Sequence, residues 1–253
     1  MGCTKEVSLQ LKSSTPRLVI EGVVSNGVMG SYVRLSWSQQ LNKQADYLEE
    51  PDAFVVLTDS SRQLSDTLRP ARDNQQHYFY PSYIIKAIPG HVYHLNVLLQ
   101  GKSYTARSVM ADTTTFDGIS LLSSAGKLTK ESIITVVPKY VDPGEVKNYY
   151  RFEQYINGRK DPGICMLNDN VGDGLVNERP IFTKEIDIHP GDTLTVVMIQ
   201  LSAPVYRYFY QLSQNQEALG STPSNPISNV EGGALGEFSA EDRQYYNWVL
   251  LDD

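Results

Sequence analysis

The chain has 253 residues, of which 41% are hydrophobic and 20% are charged, and it carries a formal net charge of −7. This balance is typical of a globular protein that can bury its own core, and it excludes an intrinsically disordered chain. A surface for nucleic acid needs clustered Lys and Arg, and the sequence contains no such run, so we expect no nucleic-acid partner.

The first predicted element is a lipid anchor followed by a tether, over residues 1–14. Gly2 stands directly before Cys3, as a small residue does before the lipidated cysteine at the end of a bacterial lipoprotein signal peptide. The polar stretch that follows suits a flexible tether. The alternative is an ordinary cysteine near a chain terminus, but Cys165 is the only other cysteine and no disulfide framework or CxxC motif exists. We therefore predict that Cys3 carries lipid.

Alternating apolar and polar residues predict short strands through the first half of the chain. The candidates are residues 18–24, 32–37, 53–58, 93–99 and 104–110. Turn dipeptides such as Asn26-Gly27 and Pro89-Gly90 separate them. Short strands broken by such turns predict a first β-sandwich, Ig-like or transthyretin-like, over residues 15–115. The likeliest boundary lies within residues 112–129, which are rich in Thr, Ser and Gly.

The second half repeats this pattern and adds one helix. Strands are predicted at residues 133–137, 149–156, 185–188 and 193–198. Val205, Phe209 and Leu212 recur at helical spacing after Ser202, a good N-terminal cap, which predicts one amphipathic helix over about 203–219. The fold class is therefore all-β, with two β-sandwich-like domains, the second spanning residues 128–253 and carrying the helix.

No motif of a known catalytic class is present, so we predict that the protein is not an enzyme and has no cofactor. The acidic loop at residues 168–174 resembles a calcium loop at first sight. Val171 and Pro180, however, occupy its third and twelfth places, where an EF-hand needs Asp or Asn and then Glu. We interpret the loop as a hairpin turn and predict no metal, with Asp169 and Asp173 as the weak candidates for a surface calcium.

Three clusters of aromatic residues interleave with polar ones, at residues 78–83, 149–152 and 245–248. Such rings form core and cross-strand pairs, which is the interpretation we favour. The alternative is a surface that binds a small molecule, a glycan or a peptide. The candidate ligand-binding residues are Tyr149, Arg151, Tyr245 and Trp248.

The glycine-rich stretch at residues 229–240, with Gly232, Gly233 and Gly236, resembles the closing signature of a family of Bacteroidota lipoproteins, domain of unknown function 4249. The aromatic run at residues 206–210, the acidic turn at 168–174 and the first strand at 18–22 fit the same family. Glu237 departs from the signature, which is expected to hold an aromatic residue there. Physically, the glycines allow positive φ or a close approach of backbones.

The resemblance implies a lipoprotein of the cell envelope, anchored to the outer membrane, exposed at the cell surface and often encoded near TonB-dependent receptors. It assigns no catalytic residues. The expected function is therefore that of an accessory or ligand-binding component of a TonB-dependent transporter. The alternatives are a surface hydrolase of glycan or peptide, which needs a pocket with carboxylates of perturbed pKa, and a structural or adhesive module.

Overall fold

The computed structural model describes residues 15–27, 30–38, 53–71, 78–81, 84–125, 132–217 and 224–251. Cys3 and the predicted tether lie outside these residues. The elements in chain order are β1 Leu18–Ser25, β2 Tyr32–Trp37, β3 Ala53–Asp59, β4 Leu64–Thr67, β5 Arg69–Pro70, β6 Tyr78–Tyr80, β7 Val92–Leu99, β8 Lys102–Val109, β9 Phe116–Ala125, β10 Ser132–Val141, β11 Tyr149–Ile156, β12 Arg159–Lys160, β13 Cys165–Asn168, β14 Val176–Asn177, β15 Thr193–Gln200, α1 Ala203–Glu217 and β16 Leu235–Val249.

These strands form one large sheet and two small ones. The large sheet has nine strands in the order β12-β11-β15-β16-β1-β2-β6-β5, with β13 also paired to β11. A four-stranded sheet, β4-β3-β7-β8, and a three-stranded sheet, β14-β10-β9, complete the fold. The predicted all-β, sandwich-like fold class with one helix is confirmed.

Two hydrophobic clusters fill the space between the large sheet and the small ones. The first joins Ile20 and Phe238 of the large sheet to Leu95 and other residues of the four-stranded sheet. The second joins Phe152 and its neighbours on β11 and β15 to residues of β9 and β10. Burying apolar side chains from two facing sheets is what stabilises a sandwich.

Strand β16 belongs to both halves of the large sheet. Its residues 235–241 pair with β1 in parallel, and its residues 242–249 pair with β15 in antiparallel fashion. The domain boundary within residues 112–129 stays a prediction. Strand β16, which follows that boundary in sequence, pairs with β1, which precedes it. The stretch between the predicted domains also contains a strand, β9, which pairs with β10 along its length.

The helix α1 lies on the other side of the large sheet. Val205 packs with Val197, Ile199 and Leu201 in a third cluster, and Phe209 packs against its edge. We call this side of the sheet the helix face. The observed helix starts where the sequence predicts and is described to Glu217, while residues 218–219 lie outside the described part of the chain.

The predicted strand at residues 185–188 is wrong. The backbone N–H groups of Glu185 and Ile186 donate to the carboxylate of Asp161, at 2.9 and 3.0 Å, and not to a neighbouring strand. Asp161 also accepts from the N–H groups of Gly163 and Lys184, so one buried carboxylate organises the loop. Ile186 and Ile188 therefore alternate with polar residues because an irregular segment packs them against the second hydrophobic cluster.

The glycine-rich stretch is held by close backbone contacts. Gly232 and Gly236 adopt φ of 90° and 92°, as the sequence predicts for such glycines. A Cβ at position 236 would collide with the carbonyl oxygen of Ile20 on β1. The parallel pairing of β1 with β16 therefore requires a glycine at this position.

We predict that Gly236→Ala destabilises the protein far more than Gly101→Ala. Gly101 also has positive φ, but a Cβ there meets nothing within 4 Å, so its replacement costs about 1–2 kcal/mol of backbone strain. Gly236→Ala adds a clash with backbone atoms, which costs about 1–3 kcal/mol more. Urea unfolding of the two variants measures the difference. Equal destabilisation would show that the β1–β16 contact tolerates a side chain.

Candidate functional site

Alternation on two strands places charged side chains on the helix face of the large sheet. On β11, Arg151 and Glu153 point to this face, while Phe152 between them joins the core. On β16, Glu241 and Arg243 point the same way. The register aligns Arg151 with Arg243 through Ile199 of the intervening strand β15.

These four side chains form a closed ring of ion pairs. Arg151 Nη2 lies 3.2 Å from Glu153 Oε1 and 3.2 Å from Glu241 Oε1. Arg243 lies 2.6 Å from Glu241 Oε2 through Nη2 and 3.7 Å from Glu153 Oε2 through Nη1. Lys160 extends the ring, with Nζ 2.6 Å from Glu153 Oε1. The ring side chains are at most 9% exposed, so each charge depends on its partners for compensation.

The ring keeps both of its carboxylates ionised. Burial alone would raise the pKa of Glu153, but the charges of Arg151, Lys160 and Arg243 outweigh burial and lower this pKa to about 2. Burial likewise opposes ionisation of Glu241, and Arg151 and Arg243 again prevail and lower its pKa. The two carboxylates therefore stay negatively charged at neutral pH.

Glu237 behaves in the opposite way. Its side chain is buried on the same face of β16, and burial raises its pKa well above the ordinary value. The negative charge of Glu241 raises it further, and Arg151 and Arg243 offset this only in part. Burial and the charge of Glu241 therefore favour the protonated form of Glu237, which can both donate and accept a hydrogen bond.

A cavity of about 370 Å³ lies above the ring, which is within the range of small-molecule sites. Aromatic side chains from both halves of the chain line its walls: Tyr32, Tyr155, Tyr208 and Phe209. The guanidinium carbon of Arg151 lies 4.0 Å from the ring centroid of Phe209, so helix α1 holds the floor of the cavity in place.

Two polar atoms of the cavity lining have no hydrogen-bond partner within the described part of the chain. They are Nε of Arg151 and Oε2 of Glu237, both buried. Buried polar groups are nearly always satisfied in folded proteins, because leaving one unpaired costs about 1–3 kcal/mol. Both atoms are covered by neighbouring protein atoms, so a ligand in the cavity reaches them only if those atoms shift.

Of the four candidate ligand-binding residues, only Arg151 lines this cavity. Tyr149 packs on Tyr206 of the helix, with ring centroids 4.8 Å apart. Tyr245 packs in the cluster beneath α1. Trp248 lies on the opposite face of the sheet, beside Tyr246. The aromatic clusters containing Tyr149 and Tyr245 thus take part in packing.

The sequence analysis missed Glu153, Glu237, Glu241 and Arg243. The signal was present as charges at every second position, Arg151 with Glu153 and Glu241 with Arg243, within segments of strand-forming residues. Charges at period two on a strand share one face, and opposite charges on one face indicate mutual pairing.

The acidic residues of the loop after β13 lie together with a third carboxylate. Asp142, Asp169 and Asp173 each offer an oxygen, and these atoms lie within 4.8 Å of one another. Burial raises the pKa of Asp142, and the charges of Asp169 and Asp173 raise it further, against a hydrogen bond from Tyr150 that lowers it. The two weak metal candidates thus gain a partner that the sequence analysis did not single out.

The protein is all-β, with a cavity lined by aromatic and charged side chains on one face of its large sheet. The chain belongs to the family described as Domain of unknown function (DUF4249), whose profile matches residues 4–248. The family resemblance predicted from the sequence is thereby confirmed. No curated protein matches the chain. Within the described residues, no helix has the length and apolar character needed to cross a membrane.

We predict that Glu153→Gln removes most of the acid sensitivity that comes from the ring. A pKa lowered from 4.5 to about 2 contributes about 3 kcal/mol above pH 4.5, and this is lost as the pH falls toward 2. The variant should be less stable than the parent at pH 7 by roughly that amount and should lose less stability on acidification. Urea unfolding at pH 7, 4 and 2.5 tests this. Glu185→Gln, an exposed carboxylate outside the ring, is the control and should follow the parent.

We predict the reverse pH dependence for Glu237→Gln. Because the pKa of Glu237 is raised in the folded state, its stabilising contribution is present at low pH and is lost as the pH rises through that pKa. The variant cannot ionise, so its stability relative to the parent should increase as the pH rises above about 4.5 toward the raised pKa of Glu237. Glu185→Gln is again the control, because Glu185 is exposed and is not among the charges that act on Glu237. An advantage of Glu237→Gln that does not change with pH would contradict a neutral Glu237.

Proposed function

We propose that this protein is a binding component of the cell envelope, which captures a small, uncharged, hydroxyl-rich ligand, a saccharide, in the helix-face cavity. The observation that carries this proposal is the cavity itself, with aromatic walls above a floor of fixed charges and unpaired polar atoms. Pockets that bind small ligands combine apolar walls with a few convergent polar groups in this way.

The charges of the floor favour an uncharged ligand. Arg151 and Arg243 are each shared between Glu153 and Glu241, so their charge is already compensated within the protein. A charged ligand would have to displace one of these pairs, which costs several kcal/mol for a buried ion. The polar groups that remain for a ligand are the tyrosine hydroxyls of the walls, because Nε of Arg151 and Oε2 of Glu237 are covered by protein atoms.

The walls favour a ligand with both an apolar face and hydroxyl groups. Tyr32, Tyr155 and Tyr208 each present a ring with a polar tip, and burial raises the pKa of the Tyr155 and Tyr208 hydroxyls to about 12. These hydroxyls are therefore neutral. The hydroxyl of Tyr155 donates to Oε2 of Glu153, at 3.1 Å, and so can accept from a ligand, whereas that of Tyr208 can donate or accept. A sugar ring offers C–H faces for the aromatic rings and hydroxyls for the tips.

The cellular setting of the proposal comes from the sequence. Gly2-Cys3 supports a lipid anchor at Cys3, and the family resemblance supports an outer-membrane, cell-surface location beside a TonB-dependent transporter. In this setting the protein holds the saccharide at the membrane surface and presents it to the transporter. A preformed cavity suits capture because its polar groups are already desolvated and oriented.

Hydrolysis of a glycan is a second candidate function, and one observation favours it. Glu237 is neutral and Glu241 is ionised on the same floor, and a pair of carboxyl groups with pKa values pushed apart is typical of an acid and its partner base. Against it, Arg151 donates to Oε1 of Glu241 and Arg243 donates to Oε2, so both oxygens are engaged. Binding without turnover is therefore the better-supported function.

The proposal is tested by calorimetric titration with monosaccharides and disaccharides of glucose, galactose, mannose and N-acetylglucosamine. Tyr208→Ala should weaken the binding of a saccharide by about tenfold, because it removes one stacking ring from the cavity wall. Tyr210→Ala is the matched control, since Tyr210 lies on the same helix, stacks on Tyr206 and does not line the cavity.

Three outcomes decide the matter. Binding that is lost in Tyr208→Ala and kept in Tyr210→Ala supports the proposal. A saccharide that is recovered cleaved after incubation supports the hydrolase instead. Absence of binding across the panel, or equal losses in both variants, overturns the assignment of the cavity to saccharides.

A further inference from the structure

A second group of carboxylates lies far from the cavity, where two loops meet. Asp142 follows β10 directly, while Asp169 and Asp173 belong to the loop between β13 and β14. The loops are tied by backbone hydrogen bonds from Asp142 N to Leu175 O, at 3.0 Å, and from Asp169 N to Asn148 O, at 3.3 Å. The three side chains are thus placed by main-chain contacts.

The three carboxylates are close together and two of them are shielded from water. One oxygen of each lies within 4.8 Å of the other two. Asp142 is 1% exposed and Asp169 is 3% exposed, whereas Asp173 faces solvent. Carboxylates so close repel one another strongly where water cannot screen them.

Asp142 supplies an independent observation. Its Oδ1 accepts a hydrogen bond of 2.6 Å from the hydroxyl of Tyr150. Its Oδ2 is buried and has no hydrogen-bond partner within the described residues. A buried carboxylate oxygen without a partner is costly, and a bound cation is one of the few groups that satisfy it.

The positive charges nearby do not fill this role. Lys147 Nζ lies 3.3 Å from Oδ1 of Asp169, but the lysine side chain is 67% exposed. The guanidinium of Arg179 donates to the carbonyl oxygen of Asn168 and to Oδ1 of Asn177, at 2.6 and 2.8 Å. Neither cation donates to the free oxygen of Asp142.

We propose that Asp142, Asp169 and Asp173 bind a calcium ion. The site offers only oxygen ligands, which hard cations prefer and which argues against zinc. Two oxygens bound to the same Ca²⁺ can lie at most about 4.6–5.2 Å apart, because each bond is about 2.3–2.6 Å long. The three carboxylate oxygens lie within 4.8 Å of one another, so their spacing is compatible with one shared Ca²⁺. Mg²⁺ requires a tighter octahedron and gives up its waters reluctantly. An irregular loop therefore suits Ca²⁺ better.

The test is titration of the chelator-treated protein with CaCl₂ and, separately, with MgCl₂, followed by calorimetry and thermal unfolding. We expect Ca²⁺ to bind with a dissociation constant of about 0.1–1 mM, as in extracellular calcium modules, and to raise Tm by a few degrees at saturation. Asp142→Asn should weaken Ca²⁺ binding at least tenfold. The asparagine keeps an oxygen that accepts the Tyr150 hydrogen bond, so this variant should fold.

Asp173→Asn provides a second variant, because Asp173 is exposed and its replacement leaves the core intact. It should also weaken Ca²⁺ binding, whereas Asp187→Asn, an exposed carboxylate elsewhere, should bind as the parent does. The assignment is overturned if Ca²⁺ gives neither heat nor a Tm shift, if Mg²⁺ binds equally well, or if Asp173→Asn and a folded Asp142→Asn bind Ca²⁺ unchanged. Because the cavity uses none of these residues, loss of saccharide binding has no bearing on this result.

Discussion

The pairing of one strand with both halves of the chain is the constraint on which the rest of the structure depends. Strand β16 hydrogen-bonds to β1 through its first half and to β15 through its second half. A single sheet therefore runs from β12 to β5, and the two small sheets pack on the same side of it. The other side is left for the helix and the charged side chains. Gly236 is where this arrangement is tightest, because the backbone of β1 leaves no room there for a side chain.

Because β16 is central in the sheet, the residues on both of its faces are buried, and one face carries charges. Replacing a buried ion pair by apolar residues is often neutral or stabilising, so the Arg151–Glu241 ring is not explained by stability. A ring of fixed charges, however, holds neighbouring side chains in one geometry, and the charge of its Glu241 adds to burial in raising the pKa of Glu237. Such rigidity is what a site for a polar ligand needs, since the cost of orienting its groups is met when the protein folds.

The sequence predicts those strands and helices that have one apolar and one polar face. Strand β7 is an example, because Tyr93, Leu95 and Val97 are buried while His94 and Asn96 are exposed. Helix α1 is another, because its apolar stripe faces the sheet.

Strand β16 was missed because both of its faces are buried and one of them is polar, so apolar and exposed polar residues do not alternate along it. The strand prediction at residues 185–188 was wrong for the opposite reason. Apolar and polar residues alternate there, but the segment is irregular. Of the cavity, only Arg151 was anticipated. Charges at every second position mark one face of each strand, but the ion pairs between β11 and β16 join residues 90 positions apart, and no local pattern shows which strands meet.

The cavity and the proposed calcium site share one strand. On β11, Tyr150 points into the sandwich and donates to Asp142, while its neighbour Arg151 points to the helix face and joins the ring. Adjacent residues of a strand face opposite sides of the sheet, so one backbone segment positions a residue of each site. Gln200 on β15 strengthens this link, since it accepts from the N–H of Thr114 and donates to Asn148 in the loop that leads into β11. These hydrogen bonds connect the acidic loop to the start of β11, the strand that also carries Arg151 and Glu153. The acidic loop and the cavity, separate in sequence, are therefore both positioned by neighbouring residues of β11, one on each side of the sheet.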